Sequence, residues 1–500
     1  MRRATLLAVL ILLSTACAQQ PRPVLAPPPG SQLPGVPALQ ADLAAYFGAP
    51  AFGNAVWGVL VRSLKTGETL FAINSGTLLM PASNMKVLTV ATAADRLGWD
   101  RVFTTKVLAT GPIENGVLKG DLVVVGSGDP SLGGRPAADN GVFDAWAAQL
   151  RGNGILAIQG RVIGDGRAFG GSGLGAGWTW DDLDAAYSTP SGALTFNENT
   201  VQITVRPGAA AGDFAAVESK PGGHGLVIEN LARTSAAASE VAISVDRAPG
   251  SSVLRVSGTV PAGHAPVARS VSVNSPTQLF VGALRQTLST QGIPVSGDAV
   301  DIQALATPPD VTGARTLFVH QSPPLAQIGK VTLKVSQNLY ADTLLRQMGC
   351  SRPAALCSAQ AGIAIVQETL KGWGIAPDRF VMRDGSGLSR YNYLTPEVLV
   401  AVLTHMQADS RVSAAFIDAL PVAGVDGTIG SRMKDTKAQG NARAKTGSIA
   451  NARALSGYVT SADGERLVFS MIANNFNVPQ SDADHIIDRA VVRLAEFRRH

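Results

Sequence analysis

The sequence predicts an α/β (α+β) protein in which helices flank a sheet and a β-rich stretch is inserted between the helical parts. Helical apolar patterns occur in residues 39–97 and again from residue 325 onwards, whereas residues 101–305 consist mainly of short alternating runs separated by Gly, Pro and Asn. The 500 residues are 46% apolar, with 53 Gly and 29 Pro, which is typical of a globular protein with many turns and two to four domains.

The first part of the chain is predicted to form a helix, a hairpin and a second helix. The first helix is expected over residues 39–47. Apolar runs over residues 57–64 and 69–73 flank a Lys-Thr-Gly-Glu turn, which predicts two paired strands. After Pro81 the sequence has an apolar stripe and an Ala-rich end with no Gly before residue 98, so a helix is expected there.

The inserted stretch is expected to form antiparallel sheet with two helices. Its predicted strands cover residues 104–108, 122–125, 156–163, 201–205, 226–228, 241–245, 253–256 and 267–273, and its predicted helices cover 141–151 and 279–291. Helical patterns follow over residues 325–345, 362–372, 396–406, 412–419 and 481–497. A hairpin over residues 455–459 and 466–472 completes the last part.

The N-terminus has the pattern of an export signal. Two arginines precede an apolar run over residues 4–13 that is too short to span a membrane, and a small-x-small cleavage site follows. We therefore expect a signal peptide over residues 1–18 and a flexible leader over residues 19–35. Alternatively, Cys17 is lipidated and anchors an exported lipoprotein, although Ser14 stands where such signals usually have leucine.

The charge distribution argues against one class of partner, and the cysteines predict a disulfide. The net charge of +5 is spread without a basic block, so nothing suggests nucleic-acid binding. Outside the signal region only Cys350 and Cys357 remain, and export would place them in an oxidising compartment, so a disulfide is expected. A metal site at these cysteines would lack a nearby His or a second cysteine pair, and no metal or cofactor is predicted.

Ser83 and Lys86 form the first candidate catalytic pair. Residues three apart lie on one face of a helix, so the hydroxyl would lie beside an amine that can act as its base. The helix start also offers unpaired N–H groups and a dipole that favour an oxyanion. A second Ser-x-x-Lys, at residues 431–434, follows a Gly-containing turn without an apolar continuation, and we interpret it as structural.

Two further motifs follow Ser-x-x-Lys along the chain. They are Ser336-Gln337-Asn338, in a helical region, and Lys445-Thr446-Gly447-Ser448, just before a predicted strand. A second Ser-x-Asn at residues 272–274 ends a strand, and a second Lys-Thr-Gly at residues 65–67 forms a turn. We interpret these second copies as structural.

The ordered trio resembles the signature of serine penicillin-recognising enzymes. Residues 384–392, 421–428 and 197–199 also resemble segments of class C low-molecular-mass penicillin-binding proteins, the D-alanyl-D-alanine carboxypeptidase/endopeptidases of the cell wall. The resemblance runs from about residue 40 to the C-terminus, and the long insertion between the first two motifs is characteristic of that class.

The resemblance implies a nested architecture. A β-lactamase/transpeptidase-like domain I, with helices flanking an antiparallel sheet, would comprise residues 36–102 and 306–500. Domain II, residues 103–194 and 262–305, would be inserted in it, and domain III, residues 195–261, would be inserted in domain II.

The resemblance also implies a function. The protein would be a periplasmic or exported serine D-Ala-D-Ala carboxypeptidase with D,D-endopeptidase activity on peptidoglycan peptide stems, inhibited by β-lactam antibiotics. Two alternatives stay open: a β-lactamase or esterase on the same scaffold, and a non-catalytic scaffold that binds the cell wall. The sequence leaves the oligomeric state undetermined.

By resemblance, Ser83 would be the nucleophile that forms the acyl-enzyme, and Lys86 would be its base. A lysine must be neutral to accept a proton, so burial and the nearby cation of Lys445 would have to lower its pKa. Ser336 would relay the proton to the leaving amine, and Asn338 would bond the substrate amide.

The remaining motif residues would hold the substrate. Lys445 and Thr446 would bind its terminal carboxylate, Gly447 would leave room for it beside the strand, and the N–H groups of Ser83 and Ser448 would form the oxyanion hole.

Residues 178–187 resemble a family segment that reaches from the inserted region toward the active site. Asp182, with Asp181 close behind, would pair with the free amine of a diaminopimelate side chain, and Tyr187 would contact substrate. The alternative is a buried structural pair of tryptophans beside solvated acids.

Class A β-lactamases deacylate with the glutamate of a Glu-x-x-Leu-Asn motif. The most similar sequence in this chain begins at Glu397, within a predicted helix. We therefore expect penicillin to acylate Ser83 and to leave slowly.

Overall fold

The computed structural model describes residues 35–135, 141–350 and 357–499. The predicted signal peptide and the lipidation alternative at Cys17 lie outside these ranges. The α-helices of the described residues are α1 (Gly35–Phe47), α2 (Met85–Leu97), α3 (Gly141–Gly152), α4 (Pro276–Thr290), α5 (Leu325–Lys334), α6 (Asn338–Gly349), α7 (Ala359–Gly372), α8 (Pro396–Ala408), α9 (Ser413–Ala419) and α10 (Gln480–Glu496).

The strands of the first part and of the inserted stretch follow in chain order. They are β1 (Val56–Ser63), β2 (Thr69–Ile73), β3 (Thr104–Ala109), β4 (Ile113–Glu114), β5 (Val117–Leu118), β6 (Leu122–Val125), β7 (Ala157–Ile158), β8 (Val162–Asp165), β9 (Thr200–Arg206), β10 (Ala216–Lys220), β11 (Val227–Asn230), β12 (Arg233–Ser235), β13 (Ala242–Asp246), β14 (Val253–Pro261), β15 (Val267–Ser272), β16 (Ala299–Asp301) and β17 (Arg315–Gln321). The last part contributes β18 (Phe380–Val381), β19 (Tyr393–Leu394), β20 (Arg443–Ile449), β21 (Ala452–Thr460) and β22 (Arg466–Asn474).

The first sheet joins the two ends of the described chain. Its order is β2-β1-β22-β21-β20, and every pair in it is antiparallel. Side chains such as Val59 and Phe469 pack on the face that α1 and α10 cover, whereas Leu60 and Val468 pack on the face that α2 and α8 cover. Helices therefore flank an antiparallel sheet, as the fold class predicted.

The inserted stretch is less uniformly antiparallel than expected. In the sheet β16-β8-β6-β3-β17, β3 pairs antiparallel with β6 and β17, but β8 lies parallel to both β6 and β16. In a further sheet β14 lies parallel to β11 and β12. Alternation of apolar residues reports which face of a strand is buried and carries no information on strand direction. The helix α3 supplies the crossover between β6 and β8 that a parallel pair requires.

The three-domain division remains a prediction, but the strands of the inserted stretch do form several separate sheets. Strands β9, β10 and β15 form a separate three-stranded sheet, and strands β11–β14 form a four-stranded one. Strand β17 pairs with β3, so the mixed sheet includes residues 315–321, beyond residue 305 where the sequence placed the end of the insertion.

Residues 325–345 do not form one helical run. Helix α5 ends at Lys334 and α6 begins at Asn338, with Ser336 between them at a φ of +60°. The Gln337 side chain accepts a hydrogen bond from the Leu339 N–H at 3.2 Å and so begins the second helix. Helix α6 ends at Gly349, and the next residue, Cys350, is joined to Cys357 by a disulfide. None of the helices in the described ranges is long and apolar enough to cross a membrane.

Candidate active site

A cleft lies where β20, the last strand of the first sheet, meets the start of α2 and the α5–α6 link. Its volume is about 460 Å³. It is lined by Ser83, Asp182, Tyr187, Ser336, Asn338, Leu388, Arg390, Thr428, Thr446, Ser448, Ile449, Ala450 and Gln480. Seven of the residues that the sequence singled out therefore share one opening.

Ser83 lies in a tight turn just before α2. Residues 82–84 form one 3₁₀ turn, in which Ala82 has a φ of +47°, and α2 begins at Met85. Lys86 lies in the first turn of α2, and its Nζ donates to Ser83 Oγ at 2.9 Å. The three-residue spacing thus brings the hydroxyl and the amine into hydrogen-bond contact.

Two glycines allow the backbone to pack closely around this turn. A Cβ at Gly387, where φ is +86°, would lie 1.9 Å from the Ala82 carbonyl oxygen. A Cβ at Gly447 would lie 2.4 Å from the carbonyl oxygen of Pro81. Gly447 was expected to leave room for substrate; the contact that a side chain would meet here is with the Ser83 turn itself.

Lys86 is completely buried and has three hydrogen-bond acceptors. Besides Ser83, its Nζ donates to Asn338 Oδ1 at 2.6 Å and to the Ser386 carbonyl oxygen at 2.6 Å. Burial lowers the pKa of Lys86 to about 7, against the opposing charges of Asp342 and Asp384, which raise it. A large share of this amine is therefore neutral near neutral pH.

Sequence reasoning assigned no role to Asp342 and Asp384. Asp342 lies one turn after Asn338 on α6, and its Oδ1 accepts from the Gly385 N–H at 2.7 Å. Burial and then the charge of Asp384 raise the pKa of Asp342 to about 7. The spacing from Asn338 to Asp342 was the available signal, because residues four apart share a helix face.

Lys445 is the second buried cation, on β20. Its Nζ donates to Ser336 Oγ at 2.8 Å and to the Thr446 carbonyl oxygen at 2.8 Å. Burial and then the charge of Lys86 hold the pKa of Lys445 well below its usual range. The expected repulsion between the two lysines thus acts on Lys445, whereas burial is what lowers the pKa of Lys86.

Asn338 connects two sides of the cleft. Its Oδ1 faces Lys86, and its Nδ2 donates to the carbonyl oxygen of Tyr187 at 2.8 Å. On the opposite wall, the Thr446 hydroxyl donates to the Thr428 hydroxyl oxygen at 2.8 Å. The sequence identified residues 421–428 only as a family segment, and it assigned no role to Thr428, Arg390 or Gln480.

Asp182 and Tyr187 form a hydrogen-bonded pair at the cleft rim. The hydroxyls of Tyr187 and Thr179 donate to the two carboxylate oxygens of Asp182. Burial and the neighbouring carboxylate of Asp182 raise the pKa of Tyr187 to about 12. Trp178 Nε1 donates to Asp384 Oδ2 at 2.8 Å, whereas Trp180 is 72% exposed, so the two tryptophans are not a buried pair.

Comparison with known proteins identifies the family of this chain. The D-Ala-D-Ala carboxypeptidase 3 (S13) family matches residues 39–497. The chain belongs to this family. It is a serine-type D-Ala-D-Ala carboxypeptidase and a low-molecular-mass penicillin-binding protein, as the ordered trio implied.

Relatives extend over most of the carboxypeptidase. A D-alanyl-D-alanine carboxypeptidase of Actinomadura sp. (strain R39) is 35% identical over 96% of this chain and 88% of its own length. Penicillin-sensitive carboxypeptidase A of Dictyostelium discoideum is 28% identical over 88% of this chain and 87% of its own. The crystal structure of penicillin binding protein 4 (dacB) from Haemophilus influenzae superimposes with a TM-score of 0.79 at 26% identity, covering 91% of this chain and 99% of that one.

The carboxylates near the site of the carboxypeptidase do not form a metal-binding cluster. Among the residues that the structure describes, no group of three or more His, Cys, Asp or Glu side chains is placed to hold a metal ion.

Proposed function

We propose that the carboxypeptidase works through an acyl-enzyme at Ser83, with Lys86 as the base. The observation that carries this proposal is the 2.9 Å contact between Lys86 Nζ and Ser83 Oγ, made by an amine whose pKa burial lowers to about 7. A neutral amine at this distance can accept the hydroxyl proton as the oxygen attacks.

Acylation consumes one peptide bond and makes one ester. Ser83 Oγ attacks the carbonyl carbon of the penultimate D-Ala, its proton passes to Lys86, and the oxyanion lies against the N–H groups of Ser83 and Ser448. When the C–N bond breaks, the proton that Lys86 accepted passes through the Ser336 hydroxyl to the leaving amine, so that Lys86 is neutral again for deacylation. Ser336 Oγ also lies 2.8 Å from Lys445 Nζ. D-Ala then departs.

Deacylation restores the enzyme. Water attacks the ester carbon after giving a proton to Lys86, the bond from carbon to Ser83 Oγ breaks, and Ser83 regains its proton. The shortened peptide leaves with a new carboxylate.

The terminal carboxylate of the substrate is the anion that would bind beside Lys445 and Thr446. Lys445 has a lowered pKa because it is buried and faces another lysine. A carboxylate bound there would favour the charged ammonium, so substrate binding and Lys445 protonation reinforce each other.

Endopeptidase activity requires no additional chemistry. In a D-Ala-to-diaminopimelate cross-link the leaving amine is also attached to a carbon that carries a carboxylate, as it is in D-Ala-D-Ala. A diaminopimelate side chain that is not cross-linked ends in a free amine and a carboxylate, and the cleft presents one carboxylate, Asp182, and one guanidinium, Arg390. We assign them to its amine and its carboxylate.

Penicillin is proposed to acylate Ser83 and to be released slowly. The deacylating glutamate of class A β-lactamases has no counterpart among the residues that line the cleft, which include no Glu. Glu397, its nearest sequence match, forms an ion pair with Arg379 and accepts a hydrogen bond from Ser75 at 2.9 Å. This favours an inhibited carboxypeptidase over the β-lactamase alternative.

An exported location, periplasmic or lipid-anchored at Cys17, follows from the N-terminal pattern and from the cell-wall substrate. Mass spectrometry of the mature N-terminus distinguishes the two forms, because lipidation leaves a modified Cys17 and simple cleavage leaves Gln19.

The proposal is tested by labelling with a fluorescent penicillin. The label should be found by mass spectrometry on the peptide that contains Ser83, and Ser83→Ala should abolish both the label and D-Ala release. Label on another peptide, or D-Ala release by a folded Ser83→Ala variant, would refute it. Steady-state hydrolysis of the penicillin at the rate of D-Ala release would instead favour the β-lactamase.

A further inference from the structure

A carboxylate of the inserted stretch contacts the middle of the Ser-x-Asn motif. Glu198 Oε2 accepts a hydrogen bond from Gln337 Nε2. Gln337 is the residue between Ser336 and Asn338, both of which line the cleft. The contact joins positions 139 residues apart in the chain.

The side chain of Gln337 makes two hydrogen bonds. Its Oε1 accepts from the Leu339 N–H and begins α6, while its Nε2 is bound to Glu198. Ser336 has a φ of +60°, a conformation that a serine adopts only when its surroundings impose it. Hydrogen bonds that hold the Gln337 side chain in place would also restrict the backbone of its neighbours, Ser336 and Asn338.

Glu198 is itself rigidly presented. It is the middle of three consecutive residues with positive φ, at +50°, +53° and +55°. Asn197 Nδ2 donates to the Thr200 carbonyl oxygen at 2.9 Å, and Asn199 Nδ2 donates to the Pro190 carbonyl oxygen at 2.9 Å, so side chains on either side hold the turn. The Glu198 side chain is only 11% exposed, and Arg135 Nε donates to its Oε1 at 2.8 Å.

We propose that Glu198 is a positioning residue for the reaction: it holds Gln337, and thereby places Ser336 against Lys445 and Asn338 against Lys86. This inference rests on the proposed roles of Ser336 and Asn338. It gives the inserted stretch a direct part in forming the catalytic site. The competing interpretation is that Glu198 only neutralises Arg135.

A charge-swap experiment separates the two interpretations. Gln337→Glu places two carboxylates together and should lower kcat for D-Ala release about 10-fold, because small displacements of reacting groups are costly. Adding Glu198→Gln to that variant restores one amide-to-carboxylate hydrogen bond with its direction reversed, and should return kcat to within about 3-fold of the parent. Glu198→Gln alone weakens the contact without abolishing it, because its carbonyl oxygen can still accept from Gln337, so its loss of kcat should be smaller than that of Gln337→Glu.

Arg135→Gln is the matched control. It removes the ion pair but keeps the contact between Glu198 and Gln337, so kcat should stay within about 2-fold of the parent even if the melting temperature falls. An equal loss of kcat in Arg135→Gln, or no recovery in the swapped double variant, would overturn the proposal.

Hydrogen–deuterium exchange gives a readout that does not depend on catalysis. Exchange of the Leu339 amide should speed up in Gln337→Glu and return to the parent rate in the double variant. If exchange responds in this way but variants of Ser336 and Asn338 retain full activity, positioning holds and the proposed roles of those residues fail. If exchange and kcat both stay unchanged in Gln337→Glu, the positioning proposal is wrong.

Discussion

Under the proposed mechanism, the fall of the acylation rate at acid pH should follow the neutral fraction of Lys86. With an ordinary lysine pKa of 10.5, only about 1 amine in 3,000 would be neutral at pH 7. Burial lowers the pKa to about 7, which raises that share to about one half. We therefore expect the second-order rate constant for acylation of Ser83 by penicillin to fall about 10-fold per pH unit below pH 7 and to level off above it.

Asp342→Asn tests the cause of that pKa. The charge of Asp342 raises the pKa of Lys86, so its removal should lower that pKa and move the acid limb to lower pH. The shift should be below about one pH unit, because the pKa of Asp342 is itself raised to about 7 and the group is only partly ionised there. Asp144→Asn, in the inserted helix α3, is the matched control and should leave the limb in place.

The assay is stopped-flow acylation by a fluorescent penicillin from pH 5 to pH 9, with the unfolding midpoint recorded at each pH. The folded-state pKa of Lys86 is below its unfolded value, so its contribution to stability rises between about pH 7 and 10.5 and is smallest below pH 7. For Asp342 the folded-state pKa is raised, so its contribution falls between about pH 4 and pH 7. A flat rate profile, or a limb centred above about pH 9, would refute Lys86 as the neutral base.

Three further results are expected. Gly447→Ala should lower the rate constant for acylation at least about 10-fold, because its Cβ would lie 2.4 Å from the Pro81 carbonyl oxygen. Gly372→Ala, whose Cβ would have no atom within 4 Å, should leave that rate constant unchanged. Equal rate constants for the two variants would contradict the packing argument. Asp182→Asn should raise KM several-fold for a substrate with a free diaminopimelate amine but not for its N-acetylated analogue, and an equal rise for both would exclude the ion pair. Glu397→Gln should leave the lifetime of the penicilloyl-enzyme unchanged while lowering the melting temperature, and a longer lifetime would give that glutamate a deacylating role.

Local spacing was enough to predict the contacts that lie within one element. Ser83 and Lys86 are three residues apart in one helical region, and the five residues 461–465 join β21 to β22 in a hairpin. The expected helix over residues 39–47 begins instead at Gly35, four residues earlier, because fraying and capping at helix ends leave weak sequence signals.

Features that depend on distant segments were predicted less well. The alternation of apolar residues is the same for parallel and antiparallel strands, so it could not predict that β8 pairs parallel with β6. The break at Ser336 lies between two helical segments, so the pattern around it predicted one continuous helix. Asp384 and Thr428 lay in segments that the sequence identified by resemblance alone, and nothing in their spacing placed them beside Lys86 or Thr446.

The sequence by itself determined the fold class, the ordered trio and the pairing of Ser83 with Lys86, because a helix makes neighbours of residues one turn apart whatever surrounds it. The tertiary structure decided the surroundings of that pair. Lys86 bonds to Asn338, 252 residues away, and to Ser386, 300 residues away, and it is these distant segments that bury it. A pKa is set by desolvation and by the charges that surround a group in space, and the fold brings both to Lys86.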